Sequence, residues 1–255
     1  ELLRLRTPLI PFAYAASNRG LSDFLEGGKP RAVTLIDVGI GRGGQIRAWL
    51  RHPARRRTLA SLRIVGIEPD SSENTGVGAL ERAKGEILKV AEQVGVETSF
   101  FSIPKRAEQL TAADFEAAGL TGTVLANSAF CLHHVASAQR GGLDRVGVLR
   151  LLHEVGVEGL VIAEPDSNHD EDLLTPRFLY AYRHYRSVDR ALRGQLGGAD
   201  AALVWQEFFA PEVRNVIGFE GLLRTERHEE ANTWAEHLVA AGWHVDDALP
   251  DLVPQ

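Results

Sequence analysis

A glycine-rich stretch follows an apolar run that ends in an acid. Residues 34–50 read TLIDVGIGRGGQIRAWL, so Asp37 stands two residues before the first of four closely spaced glycines. Glycine permits positive φ and lets backbone N–H groups approach a ligand, and the helix that follows offers its positive end to an anionic group. We interpret this stretch as a cofactor-binding loop in which Gly39, Gly41 and Gly43 contact the ligand.

The acids near this loop favour S-adenosylmethionine (SAM) as the cofactor. A carboxylate at Asp37 attracts the cationic amino group of the methionine moiety, whereas it would repel the pyrophosphate of a nicotinamide dinucleotide. Glu68, in IVGIEPD, is placed to accept hydrogen bonds from ribose hydroxyls, which suits either cofactor. Because the glycine spacing also fits the dinucleotide fingerprint, a nicotinamide oxidoreductase stays the alternative. We expect Glu108 and Asn127 to complete the cofactor site.

Polar residues outside the glycine-rich stretch could serve methyl transfer. The reaction needs an acceptor held in line with the sulfonium, and a histidine or carboxylate base helps when the acceptor is a hydroxyl. The candidate catalytic residues are His133, Asn168 and Asp170. The candidate substrate-binding residues are Tyr14, Asn18, His134 and His169. Core packing is the alternative for the histidines and the tyrosine, and a helix cap is the alternative for the aspartate. We expect no bound metal.

Alternating strand and helix patterns position these residues. The predicted strands are residues 33–38, 62–67, 97–103, 123–127 and 159–163. The predicted helices are residues 45–51, 79–94, 144–155 and 175–192. This alternation predicts an α/β fold with a doubly wound, mostly parallel, Rossmann-like sheet, whose ligands bind at the carboxyl ends of the strands. Residues 213–218 and 243–245 look like two further strands, which would add an antiparallel last strand.

The chain divides into a small first part and a large second part. Residues 1–30 read as helices outside the sheet, and we expect them to form an N-terminal helical cap over the carboxyl ends of the strands. Residues 31–255 form the Rossmann-like core, with a helical cap insertion around 171–200.

Composition excludes several classes of partner. The 255 residues carry a net charge of −6, which argues against a protein that binds nucleic acid directly. A single cysteine rules out an internal disulfide, and no apolar run is long enough for a membrane span. We therefore expect a cytoplasmic protein with a small-molecule substrate and no membrane partner, which could pair as a homodimer.

The end of the chain carries a specific motif. Residues 212–243 read EVRNVIGFEGLLRTERHEEANTWAEHLVAAGW. This block resembles the C-terminal part of the GRAS domain, where Arg-x-Asn-Val runs into Cys-Glu-Gly, then Arg-x-Glu-Arg-His-Glu, a Trp and Ala-Gly-aromatic. The matching residues are Asn215, Val216, Glu220, Gly221, Arg224, Glu226, Arg227, His228, Glu229, Trp234, Ala241, Gly242 and Trp243. The segments NSAFCLHHV and NHDEDLLTPRFLYAYRHYRSVD also align with segments of that family.

The resemblance implies both a fold and a function. GRAS domains look like class I methyltransferase folds with a helical cap, and their plant members act as transcriptional regulators that mostly lack the glycine-rich loop. With that loop, this chain looks like a bacterial-type member, a group inferred to bind SAM and modify small molecules. The resemblance thus implies a SAM-dependent methyltransferase that acts on a hydroxyl or carboxyl of a small acceptor. A non-catalytic small-molecule-binding or protein-interaction module involved in regulation is the alternative.

Overall fold

Five parallel strands form one sheet at the centre of the molecule. The computed structural model describes residue 7 and residues 9–28, 31–69, 78–135 and 141–245, without the side chains of residues 56 and 57. The strands are β1 (Ala32–Val38), β2 (Ser61–Ile67), β3 (Glu97–Ile103), β4 (Thr123–Ala129) and β5 (Gly159–Ala163). Their order is β3-β2-β1-β4-β5, so the direction of winding reverses between β1 and β4. The carboxyl ends of these two strands therefore form the switch point where α/β sheets bind ligands.

Helices connect the strands and cover both faces of the sheet. The α-helices are α1 (Leu9–Gly28), α2 (Gly44–Leu50), α3 (Arg55–Thr58), α4 (Ala79–Val94), α5 (Ala112–Ala118), α6 (Arg145–Glu154), α7 (Leu174–Gln195), α8 (Gly198–Val204), α9 (Ala210–Gly218) and α10 (Ala231–Ala240). Short 3-10 turns lie at Ala107–Gln109, Leu132–His134 and Gly221–Leu223, and a π-helical turn lies at Trp205–Phe209. This arrangement confirms the predicted α/β fold with a mostly parallel sheet. None of the described helices is both long and apolar enough to cross a membrane; the cytoplasmic location stays a prediction.

Alternation along the strands produces two hydrophobic layers. Successive side chains of a strand point to opposite faces, so Leu35 and Ile36 of β1 enter different clusters. Leu35 packs in the layer that holds Leu21 of α1, Trp49 of α2 and residues of α4. Ile36 packs in the layer on the opposite face, to which Phe115 of α5 and residues of α6 and α10 contribute. Burial on both faces explains why the strands read as almost continuous apolar runs.

The helices after β5 form a third hydrophobic cluster. Tyr185 and Leu192 of α7 pack there against Val216 of α9. Arg177 of α7, which is fully buried, donates to the carbonyl of Val216 at 2.9 Å and pairs with Glu220. These contacts hold α7, α9 and the chain that follows α9 together. The chain from α7 to the end of α9 is thus largely helical, and the insertion around 171–200 stays a prediction.

Helix α1 contributes to two of these clusters. Leu21 and Leu25 pack in the layer on the sheet, and a Cβ at Gly20 would lie 3.0 Å from the side chain of Val161 in β5. Leu9, at the start of the helix, packs against the cluster of α7, α8 and α9. The helix therefore lies along a face of the sheet, where we had expected a cap over the strand ends. Residues 1–6, 8, 29 and 30 of the predicted cap lie outside the described residues, and the division into domains stays a prediction.

The predicted strand over residues 213–218 is wrong, because these residues are helical in α9. Val213, Val216 and Ile217 stand at helical spacing and all contact the cluster around α7. This tertiary packing outweighs the strand preference of β-branched residues. Residues 243–245 are not in a strand either, so the described part of the chain has no antiparallel strand.

Candidate functional site

A cavity of about 420 Å³ opens at the carboxyl edge of the sheet, between the loop after β1 and the turn after β4. Its volume lies in the range of ligand pockets. Of the residues predicted to bind the cofactor, Gly39, Gly41, Glu68 and Glu108 line this cavity. His134 lines it among the residues predicted to bind substrate. The sequence thus brings several predicted residues to one place, and their roles in binding stay predictions.

The backbone of the glycine loop is hydrogen-bonded to the protein itself. The N–H of Gly39 donates to the carbonyl of Ile67 at 2.9 Å, and the N–H of Gly43 donates to a carbonyl within the loop at 2.8 Å. The N–H of Gly41 donates to Oε2 of Glu68 at 3.0 Å. Burial raises the pKa of Glu68, while this hydrogen bond lowers it. The N–H groups of Gly39 and Gly41 join the loop to the end of β2, and the N–H of Gly43 closes the turn within the loop. Together they fix the loop conformation.

The loop approaches the turn after β4 very closely. Gly39 has a φ of +80°, and a Cβ there would lie 2.4 Å from Cβ of Cys131. Gly41 also has a positive φ, of +51°, but its added Cβ would meet nothing within 4 Å. Glycine at the first position is therefore required by both the backbone conformation and the contact. Burial also raises the pKa of the Cys131 thiol, which keeps it protonated.

Asp37 lies in a buried polar group on the face that α1 and α2 cover. Asp37 and Asn127 are register partners on β1 and β4, and Nδ2 of Asn127 donates to Oδ1 of Asp37 at 2.7 Å. Gln45, in the first turn of α2, exchanges two hydrogen bonds with the Asn127 side chain, at 2.9 and 3.1 Å. Burial raises the pKa of Asp37 to about 7. Neither Asp37 nor Asn127 lines the cavity.

The predicted substrate-binding residues of α1 lie near this group. Nδ2 of Asn18 is 3.5 Å from the carbonyl of Gln45, a long contact at the start of α2. Tyr14 stands one turn earlier on α1 and is half-buried. Tyr14 and Asn18 thus both lie on the side of the sheet that α1 and α2 cover.

His133 is held between two carboxylates. Its Nδ1 lies 2.5 Å from Oε2 of Glu164, and its Nε2 lies 3.3 Å from Oε2 of Glu226. Glu164, at the end of β5, also accepts the backbone N–H groups of Cys131 and Leu132, at 3.0 and 2.7 Å. Burial opposes the protonation of His133, but the neighbouring carboxylates outweigh it and raise its pKa to about 9.

Further histidines surround His133. The ring centroid of His133 lies 3.9 Å from that of His134 and 4.4 Å from that of His228. The rings of His169 and His184 continue this cluster, with centroids 4.8 and 5.9 Å from that of His228. Burial, followed by the proximity of His228, lowers the pKa of His169 to about 2, so this ring is neutral. Sequence reasoning missed Glu164, His184 and the role of Glu226, although the block RTERHE contains the last of these.

The remaining predicted catalytic residues support loops. Asp170 accepts a hydrogen bond from Nη1 of Arg145 at 2.8 Å and pairs with Arg227. Oδ1 of Asn168 accepts the backbone N–H of Glu171 at 3.1 Å. Asp170 therefore joins the loop after β5 to the C-terminal block through two arginines.

The chain resembles known proteins along nearly all of its length. The GRAS domain family matches residues 1–247. The GRAS family protein RAD1 of Lotus japonicus is 28% identical over 246 residues, which cover 92% of this chain and 46% of that protein. The DELLA protein RGL3 of Arabidopsis thaliana is 28% identical over 244 residues, which cover 92% of this chain and 44% of that protein. The chain thus spans less than half the length of these curated relatives.

A solved structure shares the fold. The crystal structure of SCL7 in Oryza sativa matches with a TM-score of 0.79 at 22% identity, over 94% of this chain and 66% of that chain. At this identity, the likeness shows the arrangement of the sheet and helices, and it does not transfer an activity.

The prediction that the chain is a methyltransferase enzyme is wrong. The curated relatives that it matches are named as RAD1, DELLA and Scarecrow-like proteins of the GRAS family, and none of these names denotes an enzyme. In the structure Asp37 is hydrogen-bonded to Asn127 and does not line the cavity, and its role in cofactor binding stays a prediction. The N–H groups of Gly39 and Gly41 are likewise engaged by the protein.

The close approach at Gly39 predicts a difference between two alanine substitutions. Gly41→Ala should lower the free energy of unfolding by about 1 kcal/mol, because it only forces a side chain into positive φ. Gly39→Ala adds a steric clash with Cys131 and should cost about 3 kcal/mol or more. Denaturant unfolding of both variants measures this difference, and equal costs would contradict the described contact.

The buried Asp37 carboxyl predicts a pH dependence of stability. Because its pKa is raised from 3.8 to about 7 on folding, the folded protein binds more protons between these values, and its stability falls as pH rises. Asp37 should therefore lower the free energy of unfolding by about 2–3 kcal/mol between pH 5 and pH 8. Asp37→Asn should remove this part of the pH dependence. Denaturant unfolding at both pH values, with the exposed Asp23→Asn as control, checks it; an unchanged slope in Asp37→Asn would contradict the burial.

Proposed function

This chain belongs to the GRAS domain family, and we propose on that basis that it is a non-catalytic regulatory module that acts by binding another protein. The relatives carry GRAS, DELLA and Scarecrow-like names, which support a role other than catalysis. The observation that carries the proposal is an exposed apolar surface on α7. The assignment of the chain to a bacterial type of GRAS protein stays a prediction.

We call Leu174, Phe178, Leu179 and Tyr182 the apolar face of α7. The exposed fractions of these four residues are 50%, 52%, 50% and 53%. Large apolar side chains that stand together on one helix are costly to leave in water, and such surfaces mark sites of interaction. The opposite side of α7 is buried through Tyr185 and other residues, so the helix is held in place while it presents this face.

The surroundings of the apolar face are basic. Arg183, Arg186 and Arg190 are exposed on the same helix, and the guanidinium of Arg186 lies 5.8 Å from the ring centroid of Tyr182. The chain as a whole carries a net charge of −6, so these arginines form a local basic patch on an acidic protein. An amphipathic helix with an acidic rim would complement both the apolar and the basic residues. A second copy would bring like charges together at this face, so the partner is a different protein.

The apolar face predicts selective binding of an acidic amphipathic helix. A fluorescent synthetic peptide with leucines on one helical face and a glutamate rim should bind the full chain, as measured by fluorescence anisotropy. The double variant Phe178→Ser/Tyr182→Ser should weaken binding at least about tenfold, because it removes two central apolar side chains. Leu203→Ser on α8, which is 48% exposed outside the face, is the matched control and should bind like the parent chain.

Two results would overturn this proposal. In the first, the same peptide with lysine in place of glutamate binds equally well, which would show that the arginines select nothing. In the second, light scattering shows that the parent chain is a dimer and that the double variant is a monomer, so that a second copy covers the face. The homodimer stays a prediction that this measurement also tests.

The cavity supports a second role, the binding of a small ligand without turnover. We propose SAM as the ligand to test, because the cavity lies at the switch point and Glu68 and Glu108 line it. The residues fit in part: the Glu68 carboxylate is at the cavity, whereas Asp37 faces the other side of the sheet. Recognition would therefore rest on the adenosine half of the molecule, at Glu68.

Calorimetry of the folded chain with SAM and S-adenosylhomocysteine tests this role. Glu68→Gln should weaken the binding of both at least about tenfold, since a charged hydrogen-bond acceptor is lost. Glu116→Gln on the exposed side of α5 is the matched control. Absence of heat with both compounds, in a sample that unfolds cooperatively, would overturn the ligand proposal and leave the protein-binding proposal standing.

A further inference from the structure

One side-chain cluster has the composition of a transition-metal site. His133, His134 and Glu226 offer ligand atoms that all lie within 4.8 Å of one another. These residues come from the turn after β4 and from the C-terminal block, so the fold brings together two segments that are far apart in sequence. His133 is buried, whereas His134 is partly exposed and lines the cavity.

The distances around Glu226 match the edges of a coordination shell. Ligand atoms about 2.0–2.1 Å from a zinc ion stand roughly 3.4 Å apart in a tetrahedron. Oε2 of Glu226 lies 3.3 Å from Nε2 of His133 and 3.6 Å from Nε2 of His228. Oε1 of Glu226 lies 3.7 Å from Nδ1 of His134. This nitrogen donates to the carbonyl of Thr225 at 3.2 Å, and metal binding would replace that hydrogen bond. Three imidazole nitrogens thus lie 3.3–3.7 Å from the carboxylate of Glu226. The ligand atoms of His133, His134 and Glu226 lie within 4.8 Å of one another, so the widest pair would need to close by up to about 1.4 Å around a zinc ion.

The surroundings of His133 are those of a metal ligand. Its Nδ1 bonds to Glu164 at 2.5 Å, so its Nε2 points toward Glu226. A carboxylate that holds the far nitrogen of a ligating histidine is the usual support in zinc sites, where it fixes the tautomer and the ring orientation. Glu164 is in turn oriented by two backbone N–H groups, of Cys131 and Leu132.

His228 lies beside the cluster. This side chain is 2% exposed, and its Nε2 is directed toward Glu226. Its Nδ1 is a buried atom without a hydrogen-bond partner. A metal bound at Nε2 would leave Nδ1 unpartnered, so His228 is a neighbour of the site and not one of its ligands.

We propose that His133, His134 and Glu226 bind one divalent transition-metal ion, with Zn²⁺ as the preferred metal, at the inner end of the cavity. Imidazole and carboxylate ligands together select Zn²⁺ over Mg²⁺ and Ca²⁺, which prefer oxygen ligands. Two carboxylates, of Glu226 and Glu164, balance the charge of the ion. Bound metal would lock the C-terminal block onto the turn after β4, and so it would stabilise one wall of the cavity.

Zinc titration of the metal-stripped full chain tests the proposal. Calorimetry should show one Zn²⁺ per chain, and Glu226→Gln and His134→Gln should each weaken it at least about a hundredfold. Glu164→Gln should weaken it about 10–100-fold, as expected for a residue that positions a ligand. The matched controls are Glu236→Gln, exposed on α10, and His153→Gln, which packs against Trp243, and both should bind like the parent chain.

The spectrum of bound Co²⁺ provides a second readout that a purely structural role would not change. The parent chain should give visible absorption bands of nitrogen-ligated Co²⁺, and Glu226→Gln and His134→Gln should lose them while remaining folded by circular dichroism. The proposal is overturned if the folded parent chain binds no Zn²⁺, if these two variants bind as tightly as the controls, or if Mg²⁺ binds equally well. In the first two cases the cluster would be an ion bridge in which a protonated His133 joins two carboxylates, and in the third the bound cation would be held by oxygen ligands elsewhere.

Discussion

The structure at the switch point depends on the buried carboxylate of Glu164. It is placed by the end of β5, and it accepts hydrogen bonds from the backbone of Cys131 and Leu132 and from the ring of His133. Four groups that would otherwise be buried without partners are thereby satisfied together. This single side chain fixes the turn after β4, and the turn forms one wall of the cavity and presents the histidines to Glu226.

The sheet and the glycine loop could be predicted because their signals are local. Short apolar runs identify the five strands, and the glycines after β1 indicate a turn with a close backbone approach. We expected that approach to be to a ligand, and at Gly39 the structure shows it to Cys131. The strand over residues 213–218 was predicted wrongly, since Val213, Val216 and Ile217 fit both a strand and a helix that packs on α7. Only tertiary contacts decide between these two periods.

The site was harder to predict than the fold, because it depends on side-chain direction and on distant partners. Asp37 precedes the glycine loop, as an acid that binds a cofactor would. The pleat of β1, however, turns its side chain to the other face of the sheet, where it accepts a hydrogen bond from Asn127, which is itself bonded to Gln45. The partners of His133 are 31 and 93 residues away in the chain, at Glu164 and Glu226. No spacing motif could reveal such a cluster.

The double packing of α1 has a consequence for biosynthesis. This helix is translated before the sheet, but its partners on the sheet include β5, and its first turn contacts helices that follow β5. The apolar side chains of α1 therefore stay exposed until most of the chain has been translated. During that interval the helix is a natural site for chaperones, and nascent chains stalled before β5 would be prone to aggregate.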